Sequence, residues 1–121
     1  MKLRFRQNSL RLRLNRNEVA ALAGGKPLQE SVAFPGGGSF SYRLSMAASE
    51  RPSASFAEGT VSVALPQGSV REWAALDEIG LYYKLDTANE PLEIAVEKDL
   101  ECIDAPGEER DPFAYPRKAE C

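Results

Sequence analysis

Apolar and polar residues alternate with a period of two along most of this chain, and the alternation gives way to helical spacing in two places. Leu3 and Phe5 alternate with Lys2, Arg4 and Arg6. After Gln7-Asn8-Ser9, Leu10, Leu12 and Leu14 alternate with Arg11 and Arg13. Two such runs around a polar link predict a β-hairpin, apolar on one face and cationic on the other. With Asn8-Ser9 as a two-residue turn, Phe5 is expected opposite Leu12, Arg4 opposite Arg13 and Arg6 opposite Arg11. Leu3 and Phe5 then each meet a leucine and Leu10 meets Gln7, but guanidinium also meets guanidinium, which is unfavourable for directly opposed pairs. Solvent, an acidic neighbouring strand or a bound anion can relieve that repulsion.

Asn15 followed three residues later by Glu18 is a capping-box pattern, and Val19, Leu22 and Ala23 continue at helical spacing. Gly24-Gly25 and Pro27 stop the helix, expected over about residues 16–23. Leu28 to Phe34 reads as a strand, Pro35-Gly36-Gly37-Gly38 as a turn, and Ser39 to Met46 as the clearest amphipathic strand, with Phe40, Tyr42, Leu44 and Met46 on one side. No Lys-Ser or Lys-Thr and no helix follow the glycines, so they form a hairpin tip and not a phosphate loop. Ala54 and Phe56 open another strand, Glu58-Gly59 turns it, and Val61, Val63 and Leu65 return as far as Pro66. Ser69 is the expected cap of a second helix, about residues 70–76, whose inner face holds Val70, Trp73, Ala74 and, at its last position, Leu76. Trp73, the single tryptophan, reads as a core anchor whose indole N–H finds a partner. Ile79, Leu81 and Tyr83, then Leu92, Ile94 and Val96, mark the last two strands. Residues 105–121 are acidic and turn-rich and read as a tail, with Phe113 and Tyr115 available to fold back on the body.

The elements run strand, strand, helix, strand, strand, twice. Ser9 to Leu14 before Val19-Ala20-Ala21-Leu22 parallels Thr60 to Leu65 before Trp73-Ala74-Ala75-Leu76. The pattern predicts an α+β domain over residues 1–104, built from a duplicated unit. It has two short helices and one mainly antiparallel sheet of about eight strands, curled into a half-barrel or barrel.

Composition narrows the class. The chain has 121 residues, 43% hydrophobic and 27% charged, which suits one folded domain. No apolar run approaches the roughly 20 residues of a membrane span, and no apolar stretch follows the first basic residues, so neither membrane insertion nor a signal peptide is expected. A bacterial-type cytoplasmic protein is the simplest reading. Cys102 and Cys121 then read as reduced thiols. With no histidine in the chain, a zinc site, a Ser-His or Cys-His pair and the commonest general base are all disfavoured. No metal, cofactor or catalytic residue is assigned. Net charge is −3, unevenly spread: residues 1–16 hold six basic side chains and no acidic one, whereas residues 72–121 hold fourteen acidic and five basic. The two ends are therefore expected to lie side by side and neutralise each other.

Lys2-Leu3-Arg4 leading to Asn8-Ser9-Leu10-Arg11-Leu12-Arg13-Leu14, together with Val96-Glu97-Lys98-Asp99-Leu100-Glu101-Cys102, resembles a family of small uncharacterised bacterial proteins, a domain of unknown function. The resemblance spans essentially the whole chain, including Phe34-Pro35-Gly36 and Asp77-Glu78-Ile79-Gly80, and implies no activity. At fold level only, the element order is similar to the triphosphate-tunnel enzymes. Those keep Glu-x-Glu-x-Lys on the first strand, where this chain reads Lys2-Leu3-Arg4-Phe5-Arg6.

The leading expectation is a binding or interaction module in which Arg4, Arg6, Arg11 and Arg13 take a small anionic ligand or a protein partner, since arginine forks suit phosphate and carboxylate. The alternative is a metal-dependent phosphate-ester or triphosphate hydrolase in a barrel, with Glu93, Glu97 and Asp99 as metal ligands or base. The same carboxylates also suit plain neutralisation of the arginines. Nucleic-acid binding is disfavoured by few basic residues and a pI of 5.1, and Cys102 lacks a cationic neighbour beyond Lys98 to activate it. The deciding question is which arginines the acidic last strand covers.

Overall fold

The computed structural model describes residues 1–100 together with Phe113 and Tyr115. The expected acidic tail, apart from those two aromatics, and both cysteines lie outside the described residues. Ten elements follow in order: β1 (Lys2–Arg6), β2 (Ser9–Leu14), α1 (Arg16–Ala23), β3 (Leu28–Ala33), β4 (Ser39–Ala47), β5 (Ser53–Ala57), β6 (Thr60–Pro66), α2 (Gln67–Ala75), β7 (Gly80–Leu85) and β8 (Leu92–Lys98).

The class is α+β, but the strands do not make one curled sheet or a closed barrel. They form two four-stranded sheets, β1-β2-β8-β7 and β3-β4-β6-β5. Each hairpin is antiparallel, while β2 with β8 and β4 with β6 pair in parallel, so both sheets are mixed. The helices explain the split. Each carries the chain from one hairpin across to a strand of the other sheet, whereas the parallel neighbours β4 and β6 are linked through residues 48–52 and strand β5. Replacing each element of the first half by its counterpart in the second (β1 by β5, β2 by β6, β3 by β7, β4 by β8) turns one sheet order into the other.

The inner faces share one core: Leu10, Leu12 and Leu14 of β2, Val61, Val63 and Leu65 of β6, Leu44, Ile94 and Val96. The helices begin where β2 and β6 end, pack on each other, and each touches strands of both sheets. They therefore fill the core at that end. Asn15 caps α1 as expected: its Oδ1 accepts the Glu18 N–H at 2.9 Å, and Glu18 Oε1 accepts the Asn15 N–H at 2.9 Å. Helix α2 begins directly after Pro66 and gains no side-chain cap, so Ser69 lies inside its first turn and does not cap it. Trp73 is fully buried, with its indole N–H donating to the Ile79 carbonyl at 3.0 Å. Tyr115 folds back on the body, bridging to Leu100 and stacking against Arg16 and Lys98.

The opening hairpin turns one residue earlier than expected, at Gln7-Asn8, with Gln7 left-handed at φ 52°. Leu3 faces Leu12, Phe5 faces Leu10, Arg4 faces Arg11 and Lys2 faces Arg13. The two registers differ by two residues, so both keep the same residues on each face and oppose cation to cation, although the expected one sets Leu10 against Gln7 and the observed one against Phe5. Side-chain alternation has no means of choosing between them. The choice falls to local polar groups. Ser9 Oγ donates to the Arg6 carbonyl at 2.6 Å, and Asn8 Nδ2 donates to the carbonyls of Glu90 and Pro91 at 2.8 and 3.0 Å, tying the turn to the start of β8.

The Met1 ammonium is held by the carboxylates of Glu18 and Glu30. Burial alone would lower its pKa, but the hydrogen bonds and charges of the two carboxylates outweigh burial and raise it above its ordinary 8.0. A raised folded-state pKa stabilises fully below the unfolded value and is lost as pH rises through the folded one. Urea midpoints are therefore expected to decline from pH 8 upward, and Glu18→Gln/Glu30→Gln should flatten that decline. An unchanged slope in the double variant would contradict this.

Candidate functional site

On the outer face of the β1-β2-β8-β7 sheet, strand register sets the side chains in three rows. Arg6, Ser9, Glu93 and Lys84 form the first, Arg4, Arg11, Ala95 and Tyr82 the second, and Lys2, Arg13, Glu97 and Gly80 the third. Outward-facing residues recur every second position, so the hairpin's alternation alone delivers five cations to this face.

The acidic strand β8 lies beside β2 and not beside β1, and this decides which cations are neutralised. Glu97 Oε1 forms ion pairs with Arg11 Nε at 3.2 Å and Arg13 Nε at 3.7 Å. Its other oxygen accepts the Tyr82 hydroxyl at 2.7 Å. Lys2 pairs with Asp99 at 2.7 Å, and Lys84 stands 3.8 Å from Glu93. Arg4 and Arg6, on the edge strand, have no carboxylate within ion-pairing distance among the described residues. Of the four candidate arginines, Arg11 and Arg13 thus share one counter-ion, and Arg4 and Arg6 have none among the described residues.

Between the first two rows the small residues Ser9 and Ala95 leave a groove of about 430 Å³ lined by Arg4, Arg6, Arg11, Tyr82, Lys84 and Glu93. Tyr82 went unnoticed in the sequence as a site residue. It stands here because Gly80 lies two residues before it on the same face, where a Cβ would come within 2.7 Å of the Tyr82 hydroxyl oxygen and 2.9 Å of Glu97 Cγ. Burial, then the bond to Glu97, raises the Tyr82 pKa above its ordinary 10.0, so the hydroxyl remains a donor throughout the neutral range. A glycine two positions before an outward tyrosine is the signal that points to it.

The other sheet supplies a built-in comparison. Its corresponding hairpin sets Ser55 opposite Ser62 where Arg4 faces Arg11, Ala57 opposite Thr60 where Arg6 faces Ser9, and Ser53 opposite Ala64 where Lys2 faces Arg13. The hairpin geometry therefore does not require cations. Glu93, Glu97 and Asp99 do not converge on one point: each neutralises a different set of partners. Among the described residues no group of three or more acidic or cysteine side chains could hold a metal, and no helix is long and apolar enough to cross a membrane.

Residues 1–118 match the model of a family of unknown function, DUF7009, and the chain belongs to that family. No curated protein and no solved structure matches it.

Proposed function

We propose that this member of an uncharacterised family is a small cytoplasmic binding module, built from a duplicated unit, whose cationic sheet face takes an anionic ligand. Arg4, Arg6 and the uncommitted donors of Arg11 hold a phosphate or carboxylate, while the Tyr82 ring, its hydroxyl held by Glu97, closes the far wall. One observation carries this reading. Arg4 and Arg6 stand without a carboxylate partner among the described residues beside a groove, on a hairpin whose counterpart folds with serine and alanine at the same positions. Like charges stacked across a strand pair cost stability, and a bound anion relieves them. Glu93 in the groove lining favours a ligand that carries a donor as well as an anionic group. A protein partner would use the same face through an acidic segment. The hydrolase alternative gains no support, because the carboxylates it would use are committed to Arg11, Arg13, Tyr82, Lys84 and Lys2.

Titration with inorganic pyrophosphate, followed by amide chemical shifts, tests the reading. Saturable shifts on β1 and β2, weakened by salt, are expected. Glu97→Gln should bind about threefold to tenfold more tightly, because Arg11 and Arg13 lose their competitor. Absence of pyrophosphate shifts on these strands in both forms would sink it.

A further inference from the structure

The helices fill one end of the space between the sheets, and the opposite end is open. Leu10 and Val61, the first buried residues of β2 and β6, floor an apolar cleft of about 410 Å³ rimmed by Phe5, Phe40, Phe56 and Leu92. That volume lies in the range of about 300–1,000 Å³ usual for small-molecule sites. Phe5 and Phe56 are 57% and 68% exposed, each with its partner residue at the cleft floor, and both rings lie within 6.5 Å of Phe40. The cleft is carbon-lined apart from Ser55. The cleft and the cationic groove lie on opposite faces of the opening hairpin, with Leu10 lining both, and Phe5 sits on the edge strand between Arg4 and Arg6, neither of which has a carboxylate partner among the described residues.

From this junction we infer that the cleft takes the alkyl chain of a free single-chain amphiphile whose anionic head is held by Arg4 and Arg6. The inference rests on the anion-binding reading and names its ligand class. The chain covers Phe5 and Phe56 against Phe40, and burial of apolar area drives its entry. The head passes around the edge strand β1 to its outer face and reaches donors that no carboxylate occupies among the described residues. A wholly apolar molecule would leave the arginines unused, and a compact anion would leave the aromatics wet.

The test uses the full chain and decanoate below its micelle concentration, with acetate, decanol and pyrophosphate as comparisons, read by amide shifts. Decanoate is expected to move amides of both Phe56-Val61 and Arg4-Arg6, saturably, with acetate and decanol each roughly tenfold weaker or more. Phe56→Ser, at an exposed position, should weaken decanoate and leave pyrophosphate binding unchanged. Pyrophosphate binding with decanoate no better than acetate would overturn this inference and leave the anion reading standing. Equal decanoate affinity in Arg4→Ala/Arg6→Ala would overturn it too, since the head would not be read. Binding of neither decanoate nor pyrophosphate would remove both readings. A dimer in sedimentation that decanoate fails to dissociate would assign the cleft to a second copy of the chain and overturn it. Binding only to anionic vesicles, with none of free decanoate, would do the same in favour of a membrane surface.

Discussion

Trp73→Ala is expected to lower the unfolding free energy by about 3–5 kcal/mol, the range for truncating a buried aromatic. The side chain is fully buried between α2 and the sheets, so nearly all of its volume becomes cavity. Lys98 Nζ sits 5.7 Å from the ring centroid and donates to the Leu76 carbonyl at 2.7 Å, so the ring also helps to seat a lysine that is only 8% exposed. The Ile79 carbonyl keeps a second donor, the Lys98 N–H at 2.9 Å, and is not orphaned by the change. The loss is therefore mainly one of packing. Against a stability of about 5–15 kcal/mol for a domain of this size, such a loss is a large fraction of the whole. Urea unfolding followed by far-ultraviolet circular dichroism measures it without needing the tryptophan. A loss under about 1 kcal/mol would mean that the core does not close on this residue.

Arg4→Ala/Arg6→Ala is expected to weaken pyrophosphate binding by about tenfold to a hundredfold while leaving the urea midpoint unchanged or slightly higher. Each hydrogen bond from a charged donor contributes about 1.5–3 kcal/mol, less where solvent screens it, and both side chains are exposed. Their removal deletes like-charge contacts with Arg11 and its neighbours and breaks no ion pair among the described residues. The two readouts separate binding from folding. A double variant that loses stability but keeps its affinity would reassign these arginines to the fold. The matching change at Arg13, whose carboxylate partner is already present, should cost far less affinity.

Much of the local structure was legible in the residues, because period-two alternation and a capping box are written in the chain itself. Asn15 and Glu18 mark the start of α1 directly, and Leu10, Leu12 and Leu14 announce an inner face. Neighbourhood is a different kind of information. Alternation says which way a side chain points and not which strand lies next to it. So Leu28 to Ala47 read equally well as a continuation of the first sheet and as half of a second one. The site was legible to the same depth. Its four arginines were visible, but their unequal neutralisation depends on β8 choosing β2 as its neighbour. Tyr82 depends on a glycine whose importance is geometric. The Ser69 cap failed for a local reason: Pro66 ends the strand and starts the helix in one step, so no free turn is left for a capping side chain.

The parallel pairing of β2 with β8 also orders the birth of the molecule. All four strands of the β3-β4-β6-β5 sheet come from one continuous stretch, residues 28–66, which leaves the ribosome together. The other sheet joins the first hairpin to the last one, and Leu14 must wait for Lys98, its register partner, to be synthesised. Contacts so distant along the chain form late. Until then the first hairpin carries an unpaired inner strand edge, the kind of template that recruits other chains. Its alternating arginines then act as gatekeepers in the nascent chain, repelling a second copy of the same edge, before any groove exists for them to line.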